Sequence, residues 1–241
     1  MAETWRTRGH ELPSRRLTTV PRRTVDFLRE HGIRATLRKI RAHVDNALFD
    51  RRYGVQSDQW VALDDLTVVG DNRDLGGNCQ PVKPLAFKAA MNRFRIPPDG
   101  VFVDLGSGSG RALMMAALFG FRRLVGVEFA VDICDLAEQN LETFRGRTGK
   151  QFEYRILNLD ASDYQVADDD CVFFLYNPFD QPVLEAVLRN IRRSHEAEPR
   201  SIHLVYGNPW HRQVLDDDPF WLAVDETDTG GLEDFVHYRP R

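Results

Sequence analysis

The sequence has little cysteine. Its three residues, Cys79, Cys134 and Cys171, are scattered and odd in number. Such a set suggests neither a disulfide framework nor a zinc site. All three are expected to be ordinary thiols in a reducing compartment. Metal-ligand spacings such as H-x-x-x-H or paired C-x-x-C are missing, so no metal is expected. No apolar run is long enough to span a membrane. The opening residues, MAETWRTRGHELPSRR, lack the apolar stretch of a secretory signal. A cytoplasmic location is therefore the expectation.

What is present fits one sizeable α/β domain with an extension: 241 residues, 42% hydrophobic and 28% charged. The net charge of −4 hides an asymmetry. Residues 1–55 carry 13 Lys/Arg against 6 Asp/Glu, and the rest carries 19 against 30. An acidic main domain makes a poor general nucleic-acid surface, and nucleic acid is not expected as a partner.

Residues 1–23 are polar, arginine-rich and punctuated by Pro13 and Pro21, which predicts a loosely packed tail. From Thr24 to Phe49, apolar residues recur at Val25, Leu28, Ile33, Leu37, Ile40, Val44 and Leu48. Those steps are helical except the five-residue step across Gly32, where a break or bend is expected. This basic amphipathic helix fits two settings. One is packing on the main domain with its cations in solvent, which is the expectation. The other is contact with a membrane surface through residues 24–49.

Residues 50–80 show no clear period and read as an irregular connector, with room for one short strand. VKPLAFKAAMNRF reads as a short helix and IPPDG as a tight turn. Strands and helices then alternate: strand 101–105, helix 111–119, strand 123–127, helix 131–144, strand 152–157, strand 171–176, helix 182–193 and strand 201–206. FWLAVDETD and EDFVHYRP, joined by TGGL, read as a closing antiparallel pair. The division expected is 1–55, a basic tail and helical extension; 56–100, a connector and helix; and 101–241, the main domain. The alternation predicts a doubly wound, mostly parallel sheet with helices on both faces. Ligands of such sheets bind at the carboxyl ends of the strands.

Those strand ends carry the chemistry. VFVDLGSGSG runs an apolar strand into Asp104 and then Gly106, Ser107, Gly108, Ser109 and Gly110. The glycines allow close backbone approach to a ligand ahead of a helix N-terminus. A dinucleotide loop has the spacing G-x-G-x-x-G; here it is G-x-G-x-G. A carboxylate before the first glycine would repel a pyrophosphate and suits a cationic ligand. Glu128 ends the second strand, where an acid can accept from both hydroxyls of a ribose, and Phe129 follows it.

VFVDLGSGSGRA resembles the first motif of the class I S-adenosylmethionine-dependent methyltransferases, with a Rossmann-like seven-stranded sheet. FVDLGSGxGR, GVEF and YNPF together look like bacterial members of unassigned substrate. The first two motifs bear a weaker likeness to the non-SET lysine methyltransferases that act on nucleosomes. The resemblance implies S-adenosyl-L-methionine as cofactor. Asp104 would then meet its amino group, Gly106, Ser107, Gly108 and Gly110 its methionine portion, Glu128 its ribose, and Phe129, Asp160 and Ala161 its adenine. A competing reading of Asp160 is a solvated loop acid or helix cap. CQPVK, Cys79 to Lys83, stands where a preceding segment closes the cofactor pocket in the family.

YNPF after the fourth strand resembles the D/N-P-P-Y/F motif of the amino-group methyltransferases, with one proline where those have two. The resemblance makes Asn177 and Tyr176 polar partners of the acceptor and Phe179 a stacking residue. YGNPWH after the fifth strand reads like a second copy with Gly207 inserted. The two loops should be neighbours, with Tyr206, Asn208, Trp210 and His211 completing the acceptor site. His211 is the candidate base. The expected activity is methyl transfer to a nitrogen or oxygen of a small molecule or protein side chain. The alternatives are a nicotinamide-dependent oxidoreductase, motivated by the loop and Glu128, and a cofactor-binding scaffold without turnover.

Overall fold

The computed structural model describes residues 22–58, 81–227 and 233–241. The chain forms two compact units, Met1–Leu37 and Arg38–Arg241. Cys79, the connector from 59 and the TGGL turn lie outside the described residues.

Helix α1 spans Arg22–Tyr53. It is interrupted where the sequence places the break, at Gly32, whose φ of 78° and ψ of 173° are not helical. Thr36 Oγ1 donates to the Gly32 carbonyl at 3.0 Å, occupying an acceptor beside the kink. In the second unit the helix runs four residues beyond the predicted end. Its apolar stripe is not packed as expected: Ile40, Val44 and Leu48 are 47%, 52% and 52% exposed. Burial falls instead on Phe49, one position and about 100° further round the helix. Phe49 stacks edge-on against Tyr53, which meets Phe144 at 4.9 Å. The helix therefore docks through a different face from the one its apolar periodicity marks.

Helix α2, Pro84–Phe94, opens on a proline, whose missing N–H costs nothing in a first turn. The main unit then alternates as predicted. Strand β1 is Val101–Leu105, α3 Arg111–Leu118, β2 Arg123–Glu128 and α4 Val131–Thr148. They are followed by β3 Glu153–Asn158, β4 Asp170–Tyr176, α5 Gln181–Ala197, β5 His203–Gly207, α6 Gln213–Asp216, β6 Trp221–Glu226 and β7 Phe235–Pro240. The seven strands form one sheet in the order β3-β2-β1-β4-β5-β7-β6. The first five are parallel to one another, and β7 is antiparallel to both β5 and β6.

Both faces of β1 are covered, which explains its nearly unbroken apolar run. Val101, Val103 and Leu105 enter one core with Val183, Leu184 and Val187 of α5. Phe102 enters the other with Phe87 of α2 and Leu113 of α3. Phe87, Phe102 and Phe174 are at most 1% exposed, and each contributes about 2–3 kcal/mol by leaving water. Strand order reverses between β1 and β4, so a crevice is expected above their carboxyl ends.

Candidate active site at the carboxyl ends of the central strands

The glycine loop occupies that switch point. Gly106, Gly108 and Gly110 have φ of 82°, 50° and 81°, values that favour glycine. Backbone N–H groups of Gly106 and Ser107 donate to the Val127 carbonyl at 2.9 and 3.0 Å, tying the loop to β2. Glu128 extends the tie. Its Oε2 accepts from Gly108 N at 2.9 Å and its Oε1 from Ala130 N at 3.0 Å. The sequence suggested a ribose ligand for Glu128 but not this second task of shaping the loop.

Asp104 and Glu128 are 3% and 7% exposed. Burial holds the Asp104 carboxyl well above the usual carboxylate range, and the charge of Glu128 adds to the shift. Burial also raises Glu128, against the opposing N–H groups of Ala130, Gly108 and Phe129. Two buried acids that repel one another mark a place where a cation would be welcome. Ser107 Oγ, buried in the loop, has no hydrogen-bond partner. A buried acid pair, an orphaned hydroxyl and a glycine-lined loop fit a ligand with a cationic amino-acid end.

Asp160 lies beyond β3, 5% exposed. Its Oδ1 accepts from Ser162 N at 2.9 Å and Ser162 Oγ at 2.7 Å, capping the 3-10 turn Ala161–Asp163. This is the cap that the sequence offered as the competing reading. Ala161 is buried beside it, and Phe129 is half-buried against Ala130 and Ile133.

The two Asn-Pro loops are neighbours: β4 and β5 pair in parallel, with Tyr176 opposite Gly207. Asn177 and Asn208 both have left-handed backbones, with φ of 44° and 47°. Only Arg95 shares that feature among the described non-glycine residues. Asparagine tolerates this region better than most residues, but a following proline disfavours it, so the conformation is held by its surroundings. Asn177 Oδ1 is buried without a hydrogen-bond partner. His211 Nε2 stands 3.8 Å from Asp180 Oδ1, linking one loop to the other. The His211 N–H donates to the Tyr206 hydroxyl at 3.4 Å.

Phe179 is placed differently from a stacking platform. It is 8% exposed and packed in the core with residues of α5. Trp210 is the aromatic side chain in solvent, 75% exposed.

Three features were missed from the sequence. Gly106 serves packing as well as ligand approach: a Cβ there would lie 2.3 Å from that of Pro178. Lys83 Nζ sits 2.7 Å from Glu233 Oε1, and its backbone N–H donates to Oε2 at 3.2 Å. Tyr176 is drawn into this cluster: burial raises its hydroxyl pKa, and Glu233 adds to the rise. Arg111, 2% exposed at the start of α3, clamps the end of α1. It meets Asp50 at 3.0 Å, donates to Ser57 Oγ at 2.9 Å, bonds Asn46 and lies over the Phe49 ring. Asn140 of α4 completes the clamp by donating to both the Gln56 and Ser109 carbonyls at 3.0 Å. Only the G-R step of the motif hinted at Arg111.

The family model "Histone methylation protein DOT1" matches residues 82–172, from the approach to α2 into β4. That match covers less than half of the chain and supports an S-adenosylmethionine-dependent methyltransferase. Its cofactor is S-adenosyl-L-methionine, which removes the nicotinamide alternative. Solved methyltransferase structures share the fold. An S-adenosylmethionine-dependent O-methyltransferase from Thermotoga maritima superposes with a TM-score of 0.52 at 15% identity, over 67% of this chain and 66% of that one. An Aquifex aeolicus methyltransferase gives 0.52 at 11%, over 64% and 89%. A Listeria monocytogenes DNA methylase of predicted N6-adenine specificity gives 0.50 at 15%, over 67% and 52%. No curated protein matches the chain.

Proposed function

We propose that this methyltransferase acts on a nitrogen or oxygen of a small molecule or protein side chain held by the two Asn-Pro loops. The observation that carries this reading is Asn177. Its amide oxygen is buried without a partner, just past the end of β4, the strand that pairs with the one carrying Asp104. Such an oxygen accepts from an N–H or O–H group, and amines and hydroxyls are the acceptors that present one.

When bound, S-adenosyl-L-methionine supplies an electrophilic methyl group whose departure leaves a neutral thioether. The chain's own work is binding, alignment and proton management. Asp104 holds the cationic ammonium end, and Gly106, Ser107, Gly108 and Gly110 wrap the methionine portion. Glu128 takes the ribose through the lone pairs that its backbone donors leave. Phe129, Asp160 and Ala161 flank the adenine. Across the crevice, Asn177 helps to orient the acceptor; alignment of donor and acceptor as a whole is worth on the order of 7–11 kcal/mol, of which one side chain supplies a part. The raised pKa keeps the Tyr176 hydroxyl protonated at neutral pH, so it serves as a donor rather than a base. His211, beside Asp180, is the group placed to take a proton from an acceptor that arrives protonated.

The expectation against nucleic acid gains no support, because a DNA methylase has the same fold. That acceptor class is an outcome of the test. Calorimetry should show S-adenosylmethionine and S-adenosylhomocysteine binding, with Asp104→Ala weakening both at least tenfold. Absence of binding by the folded parent at millimolar ligand overturns the reading. Transfer of radiolabelled methyl groups to fractionated protein, small-molecule and nucleic-acid pools then separates the acceptor classes.

A further inference from the structure

The helical face of the main unit holds a groove that the methyl-transfer reading does not use. Its volume is about 760 Å³, and α1, α2 and α3 enclose it. The apolar lining includes Leu48, Phe49, Pro84, Phe87, Met115 and Leu118. No residue of the glycine loop or the Asn-Pro loops lines it. Beside it, Val44 and Ile40 stand in solvent one and two turns before Leu48, itself 52% exposed. Ile33 and Leu37, on the first unit, are also exposed.

The charge around this groove has one dominant sign. Arg51, Arg52 and Lys88 line it, against a single acid, Asp45, and Arg41 is exposed beside the apolar residues. Asp50, the other acid at this end of α1, is engaged by Arg111 and Ser57. A second copy of the chain would bring like charges together. Nucleic acid would match the cations but leave three aliphatic side chains and an apolar groove without a counterpart. An anionic surface with an apolar interior matches both.

We propose that this face docks the protein on an anionic lipid membrane. Ile40, Val44 and Leu48 enter the boundary between headgroups and acyl chains, the groove beside them accepts an acyl chain, and Arg41, Arg51, Arg52 and Lys88 meet headgroup phosphates. The acidic balance of residues 56–241 orients the molecule, because an anionic surface attracts the basic face and repels the remainder.

The test is flotation of the full chain with phosphatidylcholine vesicles, with and without phosphatidylglycerol. Binding is expected only to the anionic vesicles and should weaken steeply as salt rises. The double variant V44E/L48E and the charge variant R51E/R52E should each lower the bound fraction at least tenfold. Both alter exposed positions, so thermal melting and S-adenosylhomocysteine affinity should match the parent. Equal binding to neutral and anionic vesicles overturns the proposal, as does undiminished binding by both variants. A parent dimer that V44E/L48E dissociates would assign the face to a second copy and likewise overturn it. Tight binding to a DNA duplex, lost in R51E/R52E but kept in V44E/L48E, would do the same.

Discussion

The two Asn-Pro loops share a sequence pattern, a strand end and a left-handed asparagine, yet their bonds differ. Asn208 is occupied. Its N–H donates to the Asp234 carbonyl at 2.8 Å, and its Oδ1 accepts from the Trp210 indole at 3.2 Å. Asn177 has a buried amide oxygen with no partner, and its loop rests on Gly106. The aromatics differ as well, Phe179 in the core and Trp210 in solvent. One loop has its asparagine oxygen engaged by its own tryptophan. The other holds an acceptor in reserve beside the glycine loop.

Four substitutions test that contrast. The largest effect is expected from Gly106→Ala, which sets a Cβ against Pro178 at a φ of 82°. It should cost about 3 kcal/mol of stability by thermal melting and displace the first loop. Asn177→Gly keeps the left-handed backbone and removes only the amide. Turnover should fall about a hundredfold while S-adenosylhomocysteine affinity holds, and a matching fall in affinity would reject the acceptor role.

Asp104→Asn relieves a buried charge without touching either loop. It should raise the melting temperature of the free protein by a few degrees while weakening cofactor binding. The sign follows from the raised pKa values of Asp104 and Glu128. Their contribution to stability is fully present below the ordinary carboxylate pKa of about 4. It is lost as pH rises through the folded values. The free parent should therefore lose stability over that window, and Asp104→Asn should flatten the loss. Asn208→Gly should have the smallest effect, moving turnover less than about threefold, because its side chain serves an exposed indole. A fall as large as that of Asn177→Gly would make the two loops equivalent after all.

The succession of strands and helices and the position of the glycine loop were legible because they follow local rules: apolar strands, glycine at positive φ, and helices between parallel strands. Asp104, Glu128 and Asn177 were singled out because strand ends are where such sheets put chemistry, and the structure sets all three at strand ends. The rest depends on residues distant in sequence. Arg111 reaches back 61 positions to Asp50. Lys83 meets Glu233 across 150. Phe179 looked like a stacking residue because its motif is read in one dimension, whereas the start of α5 turns it inward. The stripe on α1 was recognised correctly as apolar, but periodicity cannot say which face of a helix the domain covers.

The contact between Gly106 and Pro178 means that the two halves of the crevice share one wall. Any movement of the glycine loop has to be accommodated by Pro178, and the reverse. Were filling one side to move that wall, the two occupancies would be coupled by the same factor in both directions. The absence of one methyl group from the backbone is what lets the two loops touch.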